Sequence, residues 1–317
     1  VYPASLVKLM SVLLTFEAIE AGKTSLDEIV VTSTKASKIG GTQVFLKEGE
    51  EFSVRELLKA MIVRSANDAT LAMAEHVSGN EDSFVRLMNQ RAKELGMAHT
   101  EFHSPHGLPP SRGEKHNVST AYDLFLLARF ILHNHPQYLE WSAIEIDSFR
   151  AGTFQLVNTN RKLMRAYKGM DGMKTGYYRA AGFNLVSTAK RGERRLISVV
   201  MGSPNVKWRI RITSYLLDKG FNEYQTIQLV EAEKIISQTV LVEDGQHKEV
   251  SIKPQMSASL LLGPGEEDKV KLLYQLPEKV VAPVEKGSML GTLELRMGGK
   301  TMRQIPLVAA EEVPPLS

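Results

Sequence analysis

The sequence predicts an α+β domain whose strands pair antiparallel, followed by a small all-β domain. Three observations carry this. Helical periodicity dominates from residue 3 to about residue 134. Strand-like runs at 182–189 and 195–201 flank the Arg191-Gly192 turn, which makes a hairpin and hence antiparallel strands. After Phe221 no long helical pattern remains, only short alternating runs split by Gly, Pro and Asp, so the boundary falls near 220–226.

Residues 3–21 read as one helix. Pro3 suits the first helical position, Leu6, Leu9, Met10, Leu13, Leu14 and Phe16 keep a broad apolar surface, and Gly22 suits the C-terminal cap. Strand-like runs such as 29–32 and a Gly40-Gly41 turn follow. Ser53 and Glu56 form a capping box that opens a helix to about Val63. A second helix runs from Asp68 to about Val77, stopped by Ser78-Gly79-Asn80, and a third over 81–95, closed by Gly96. Residues 99–118 are polar and rich in Pro and Gly, a loop of a length that tends to be functional. Ser119 to Asp123 open a helix to about Asn134. Strands are expected at 144–157 and 169–178, then the hairpin, then a last helix over 206–219. The β domain should hold strands at 240–242, 249–252, 259–262, 270–274, 289–296 and 301–306.

Bulk composition narrows the function classes. The 317 residues are 43% hydrophobic and 24% charged, the balance of a soluble globular protein of two ordinary domains. Net charge is +3 and no Lys/Arg stripe with interleaved aromatics exists, which argues against nucleic-acid binding. The absence of cysteine rules out thiolate metal sites and fits either an exported, oxidising compartment or simple indifference to redox. No run of 18 apolar residues could span a membrane. The chain begins without Met or signal peptide and stops in loop-like sequence, so it is expected to be a processed or truncated product.

Three short motifs carry chemistry, and each is weak alone. Ser-x-x-Lys occurs at Ser5–Lys8 and at Ser187–Lys190, where about one match is expected by chance. Ser-x-Asn occurs at Ser65–Asn67, Ser78–Asn80 and Ser203–Asn205; Lys174-Thr175-Gly176 is unique. Context separates the copies. On a helix, positions i and i+3 are neighbours, so Ser5 and Lys8 can meet. On a strand they face opposite ways, so Ser187 and Lys190 cannot. Ser78-Gly79-Asn80 is a helix stop, whereas Ser65-Ala66-Asn67 interrupts two helical stretches that can hold its side chains. Serine needs a neighbouring base to attack at neutral pH, and Lys8, flanked by Val7 and Leu9, is placed where dryness lowers an amine's pKa.

The ordered set Ser-x-x-Lys, Ser-x-Asn, Lys-Thr-Gly resembles that of serine D-alanyl-D-alanine carboxypeptidases, the low-molecular-mass penicillin-binding proteins of the penicillin-binding protein 5 type. AMIVRSANDATLAMAEHVSG, HisGlyLeu at 106–108, SerThrAlaTyrAspLeu at 119–124 and GMKTGYYRAAGFNLVSTA extend the likeness. GlyThrLeuGluLeu at 291–295 resembles the family's C-terminal β domain.

The resemblance implies a β-lactamase/transpeptidase-like domain over 1–222, an antiparallel sheet with helices on its faces, and a β-sandwich over 223–317. Ser5 would be the acylated nucleophile and Lys8 its base. Ser65 would relay a proton between Lys8 and the leaving amine, and Asn67 would hold the substrate amide. Lys174 and Thr175 would take the substrate's terminal carboxylate, and Gly176 would let the substrate backbone lie close. The Ser5 and Tyr177 N–H groups would form the oxyanion hole. Arg209, or else Arg211 nearby, would add a carboxylate anchor.

The expected partners are a peptidoglycan stem peptide ending in D-Ala-D-Ala and, as covalent inhibitors, β-lactams. No metal or organic cofactor is implied. The setting would be the periplasm or extracytoplasmic face, with membrane attachment only through an anchor outside this chain. The family's strand-forming segment ahead of Ser-x-x-Lys has no counterpart here. A serine β-lactamase is the nearest rival, opposed by the β domain and by the lack of a recognisable Glu-bearing deacylation loop. A non-catalytic wall-binding scaffold is another, opposed by the intact motifs. His106 and His116 read as loop residues, since no Gly-x-Ser-x-Gly elbow accompanies them. Asp68 and Asp123 read as capping or loop-fixing residues.

Overall fold

The computed structural model describes residues 1–316. Two compact units divide the chain, Val1–Asp218 and Lys219–Ser317. In the first, a 3-10 turn over Ala4–Val7 runs into α1 (Lys8–Glu20), where one continuous helix was expected from Pro3. α1 is buried on every side, as its all-round apolar sequence demands. β1 (Ile29–Val31), α2 (Thr34–Ser37) and β2 (Glu51–Ser53) follow; β1 and β2 pair antiparallel. Ser53 forms the expected capping box with Glu56 at the head of α3 (Val54–Lys59). The next residues, Ala60–Arg64, form a π-helical turn that ends on Ser65 in the left-handed region. α4 (Asn67–Ser78) stops at Gly79, and α5 (Glu81–Glu94) starts from the Asn80 cap.

Beyond the long loop lie α6 (Ala121–Asn134), α7 (Tyr138–Ser142), the hairpin β3 (Ile146–Phe149) and β4 (Phe154–Val157), and α8 (Arg161–Ala166). β5 (Met170–Tyr178), β6 (Gly182–Arg191) and β7 (Arg194–Ser203) form an antiparallel sheet in that order, so β5 is an edge strand. α9 (Val206–Glu223) closes this part of the chain. The core gathers α1, α3, α4 and α6 around Leu9, Leu13, Leu57, Met61, Leu127 and Val186. The short helices α7 and α8 were not foreseen. At five and six residues they are too brief for a periodicity to stand out.

The second unit is all β. β8 (Gln225–Val230) pairs with β11 (Ala258–Leu262), while β9 (Thr239–Glu243), β10 (Glu249–Pro254), β12 (Lys271–Gln275), β13 (Lys279–Val281), β14 (Met289–Met297) and β15 (Lys300–Ala309) form a sheet ordered β12-β14-β15-β10-β9-β13. Val250, Ile252, Leu293, Leu295, Ile305 and Leu307 make its core. β8 and β13 add to the expected strands. Among the described residues no helix is long and apolar enough to cross a membrane.

Candidate active site

Ser5 sits half-buried on the 3-10 turn, just after Ala4, whose φ of 52° is unusual for a residue with a side chain. Segments far away in sequence hold this turn. The Asn184 amide, fully buried on β6, donates to Tyr2 O (2.9 Å) and Pro3 O (3.2 Å) and accepts from Gly202 N (2.7 Å). Gly107 lies so close that a Cβ there would stand 2.1 Å from Ala4 O. Gly176 on β5 packs against the same turn, and a Cβ there would stand 2.6 Å from Pro3 O and 3.2 Å from Ser5 N. The space spared by Gly176 is therefore occupied by the nucleophile's own backbone, where the sequence suggested room for a substrate.

Lys8 is fully buried, one helical turn on. Its Nζ reaches Ser5 Oγ (3.0 Å), Asn67 Oδ1 (2.7 Å) and His106 O (2.5 Å). Burial, then the nearby Lys174 charge, pull its pKa well below the ordinary lysine value, partly opposed by Asp68. A neutral amine has two N–H donors and one lone pair. Asn67 Oδ1 and His106 O can only accept, so in the neutral form they would take the two donors and leave the lone pair for the Ser5 hydroxyl. Asn67 is fixed in this sense because its Nδ2 donates to Gly40 O (2.9 Å). Both ends of its amide are thus engaged within the protein, with one N–H left over for the substrate contact expected of it.

The π-turn and the left-handed φ of 65° at Ser65 carry its hydroxyl to Lys174, whose Nζ donates to Ser65 Oγ (2.7 Å) and Thr175 O (2.9 Å). Ser65 is therefore bonded to Lys174, while the partners of Lys8 are Ser5, Asn67 and His106. Burial, then the Arg209 charge, bring Lys174 down to about 7. Thr175 Oγ1 donates to Thr159 Oγ1 (2.7 Å). Arg209, on the first turn of α9, is only 7% exposed, and its Nε has no hydrogen-bond partner among the described residues. Arg211 is exposed, its guanidinium over the Trp208 ring at 5.2 Å. Of the two, Arg209 faces the cluster. Tyr177 is exposed and stacks on Phe183 at 4.2 Å.

His106 enters through its main chain, a role that residue type could not reveal. Its ring anchors that carbonyl: Nδ1 accepts from Leu108 N (3.1 Å), and Nε2 lies 3.3 Å from Glu81 Oε1. Lys35 closes the chain on Glu81 at 2.7 Å. Burial pushes the Glu81 carboxyl up, but the hydrogen bonds from His106 and Lys35 outweigh it and hold the group at about 2. Asp68 accepts from Val44 N and Leu46 N, and Asp123 from His99 N and Thr100 Oγ1, so both fix loops as expected. His116 stacks on Tyr2 at 4.1 Å and bonds Tyr178 Oη at 2.9 Å. At the twin motif Ser187 is buried and Lys190 exposed on β6, facing apart. Asn184 and Thr159 escaped the sequence reading. A buried asparagine inside a strand was the one available signal for the first.

Known proteins resemble the chain along nearly its whole length. The D-alanyl-D-alanine carboxypeptidase family matches residues 1–205, and the penicillin-binding protein 5 C-terminal domain matches 224–315. The chain is 38% identical over 315 residues to the D-alanyl-D-alanine carboxypeptidase DacF of Bacillus subtilis, covering 98% of this chain and 79% of that one. It is 34% identical to DacC of Escherichia coli, covering 98% and 78%. Among solved structures, penicillin-binding protein 5 from Haemophilus influenzae superposes with a TM-score of 0.75 at 32% identity, over 99% of this chain and 91% of that one. Penicillin-binding protein D2 from Listeria monocytogenes, solved with ampicillin bound, matches 70% of this chain and 88% of its own at 34% identity and a TM-score of 0.64. The Ser5–Lys8 pair, the Ser65–Lys174 pair and the matches along both parts of the chain lead to one conclusion: the protein belongs to the D-alanyl-D-alanine carboxypeptidase family.

Proposed function

We propose that the chain removes the terminal D-alanine from peptidoglycan stem peptides through an acyl-enzyme on Ser5. The observation that carries this reading is the Lys8 amine, dry, 3.0 Å from Ser5 Oγ, with its other two contacts both acceptors. Lys8 takes the Ser5 proton as Oγ attacks the carbonyl between the two D-alanines. The Ser5 and Tyr177 N–H groups receive the developing oxyanion, each donor contributing about 3 kcal/mol. The proton that Lys8 took passes to the nitrogen through the Ser65 hydroxyl as the C–N bond breaks, which leaves Lys8 neutral again and releases D-alanine as the free amine. Water then attacks the ester, Lys8 accepting its proton, and restores Ser5. The terminal carboxylate lies between the Lys174 amine, the Thr175 hydroxyl and the Arg209 guanidinium, in a site of low dielectric. No cofactor takes part. The substrate places the reaction on the extracytoplasmic side. A β-lactam acylates Ser5 by the same attack.

Labelling with a fluorescent penicillin tests the nucleophile. One adduct per chain is expected, absent in Ser5→Ala; an adduct that survives this change would assign the chemistry elsewhere. D-Alanine release from a D-Ala-D-Ala peptide tests the activity, and its absence in a penicillin-reactive enzyme would overturn it.

A further inference from the structure

Lys8 owes one of its two acceptors to the His106 carbonyl, and the ring of the same residue holds that carbonyl from behind. Leu108 N–H can only donate, so His106 Nδ1 must present its lone pair there and Nε2 must carry the hydrogen. Nε2 faces Glu81 Oε1 at 3.3 Å, with the two side chains only 12% and 14% exposed. A carboxylate is acceptor-only, so it takes this hydrogen and can supply none to the opposite tautomer. The Lys35 amine occupies the second Glu81 oxygen at 2.7 Å, and the carboxyl, held at about 2, is anionic at any working pH. Burial lowers the His106 pKa more than Glu81 raises it, which keeps the ring neutral. Glu81 is itself placed independently of His106: it opens α5 directly after the Asn80 cap, whose side chain accepts from Ser83 N.

We infer that Glu81 is a positioning residue for the acylation step: it selects the His106 tautomer that binds Leu108 N, and so keeps the His106 carbonyl on Lys8 Nζ. The inference rests on the reading of Lys8 as the base. Without Glu81 a buried Nε2–H loses its acceptor, and the ring gains by moving its hydrogen to Nδ1. That tautomer sets two N–H groups against each other at Leu108. The 106–108 segment must then turn, and with it the carbonyl that orients the amine. Asparagine at 106 has no tautomers: its Oδ1 accepts from Leu108 N whether or not a carboxylate stands behind it. Glu81 should therefore matter to the reaction only while residue 106 is histidine.

The test uses the full chain as wild type, Glu81→Leu, His106→Asn and the double variant, with the second-order rate of fluorescent-penicillin acylation as the readout. Glu81→Leu should lose about fivefold, the worth of one buried hydrogen bond. The same change made in His106→Asn should cost less than twofold, because the step it acts through is already gone. Asp82→Asn, exposed on the same first turn of α5, is the control for lost charge at the helix start and should change the rate less than twofold. Side-chain 15N NMR reads the tautomer directly, the His106 signals being those that vanish in His106→Asn. Wild type should show Nε2 protonated and Nδ1 bare, and Glu81→Leu should populate the opposite form. An acylation rate for Glu81→Leu within twofold of wild type, an equal loss in the His106→Asn background, or a wild-type His106 protonated on Nδ1 would each overturn the inference while leaving the proposed chemistry intact. A wild type that takes no penicillin label would overturn the chemistry and the inference with it. The wild-type spectrum can refute the tautomer even if Glu81→Leu does not fold.

Discussion

Replacing Gly176 with alanine should disable the nucleophile without touching any group that reacts. The backbone at 176 needs no left-handed conformation, so alanine is conformationally acceptable there. The obstacle is steric. The added Cβ would lie 2.6 Å from Pro3 O and 3.2 Å from the amide nitrogens of Ser5 and Leu6. All three are backbone atoms, so no flexible side chain can swing away, and β5 and the Ser5 turn must separate by several tenths of an ångström. Overpacking of this kind costs about 1–3 kcal/mol of stability. That corresponds to roughly 2–4 °C in Tm per kcal/mol for a domain of this size. Displacement of a reacting group by up to an ångström lowers rates on the order of a hundredfold. The assay is the second-order rate of penicillin acylation, with Tm measured alongside. Gly40→Ala is the matched control: it too lacks a positive φ, and nothing stands within 4 Å of the added Cβ. An acylation rate for Gly176→Ala within threefold of wild type would refute the claim that β5 braces the nucleophile turn.

Two further outcomes follow from the site. His106→Asn should keep most of the acylation rate, because its Oδ1 can accept from Leu108 N in place of the ring Nδ1, whereas His106→Leu should lose about fivefold, one buried hydrogen bond being worth about 1 kcal/mol; equal rates for the two variants would remove the ring from any positioning role. Lys174 falls from 10.5 to about 7 on folding, so the unfolded chain takes up its proton first. Stability should therefore decline as pH falls from 10.5 to about 7 and level off below that, a cost of up to about 5 kcal/mol that Lys174→Met would remove. Urea midpoints between pH 7 and 10.5 check this, and parallel slopes for the two proteins would contradict it.

Much of this arrangement was legible because its signals are local. Ser5 and Lys8 meet through helical spacing, and the strand at 182–191 separates Ser187 from Lys190, so one periodicity argument both found the pair and discarded its twin. The Ser53–Glu56 box and the Gly79 stop are likewise written within four residues. What stayed hidden depends on contacts across the chain. Gly176 looked like space for a substrate because nothing in its neighbourhood announces the Pro3 carbonyl. His106 acts through its carbonyl, and every residue type has one. Ser65 reaches Lys174 through a π-turn and a left-handed residue, neither of which has a sequence signature at Ala60–Arg64. β8 was missed although its residues do alternate, because it follows α9 directly with no turn signal between them.

The bracing of the Ser5 turn also has a consequence for biosynthesis. Ser5 is synthesised well before the residues that brace it, since its turn is held by Gly107, Gly176 and Asn184. A chain released before residue 184 would carry the serine and its lysine but not the wall that gives them shape. Reactivity toward β-lactams should therefore switch on late and all at once, which makes a covalent penicillin label a reporter of completed folding as well as of catalysis.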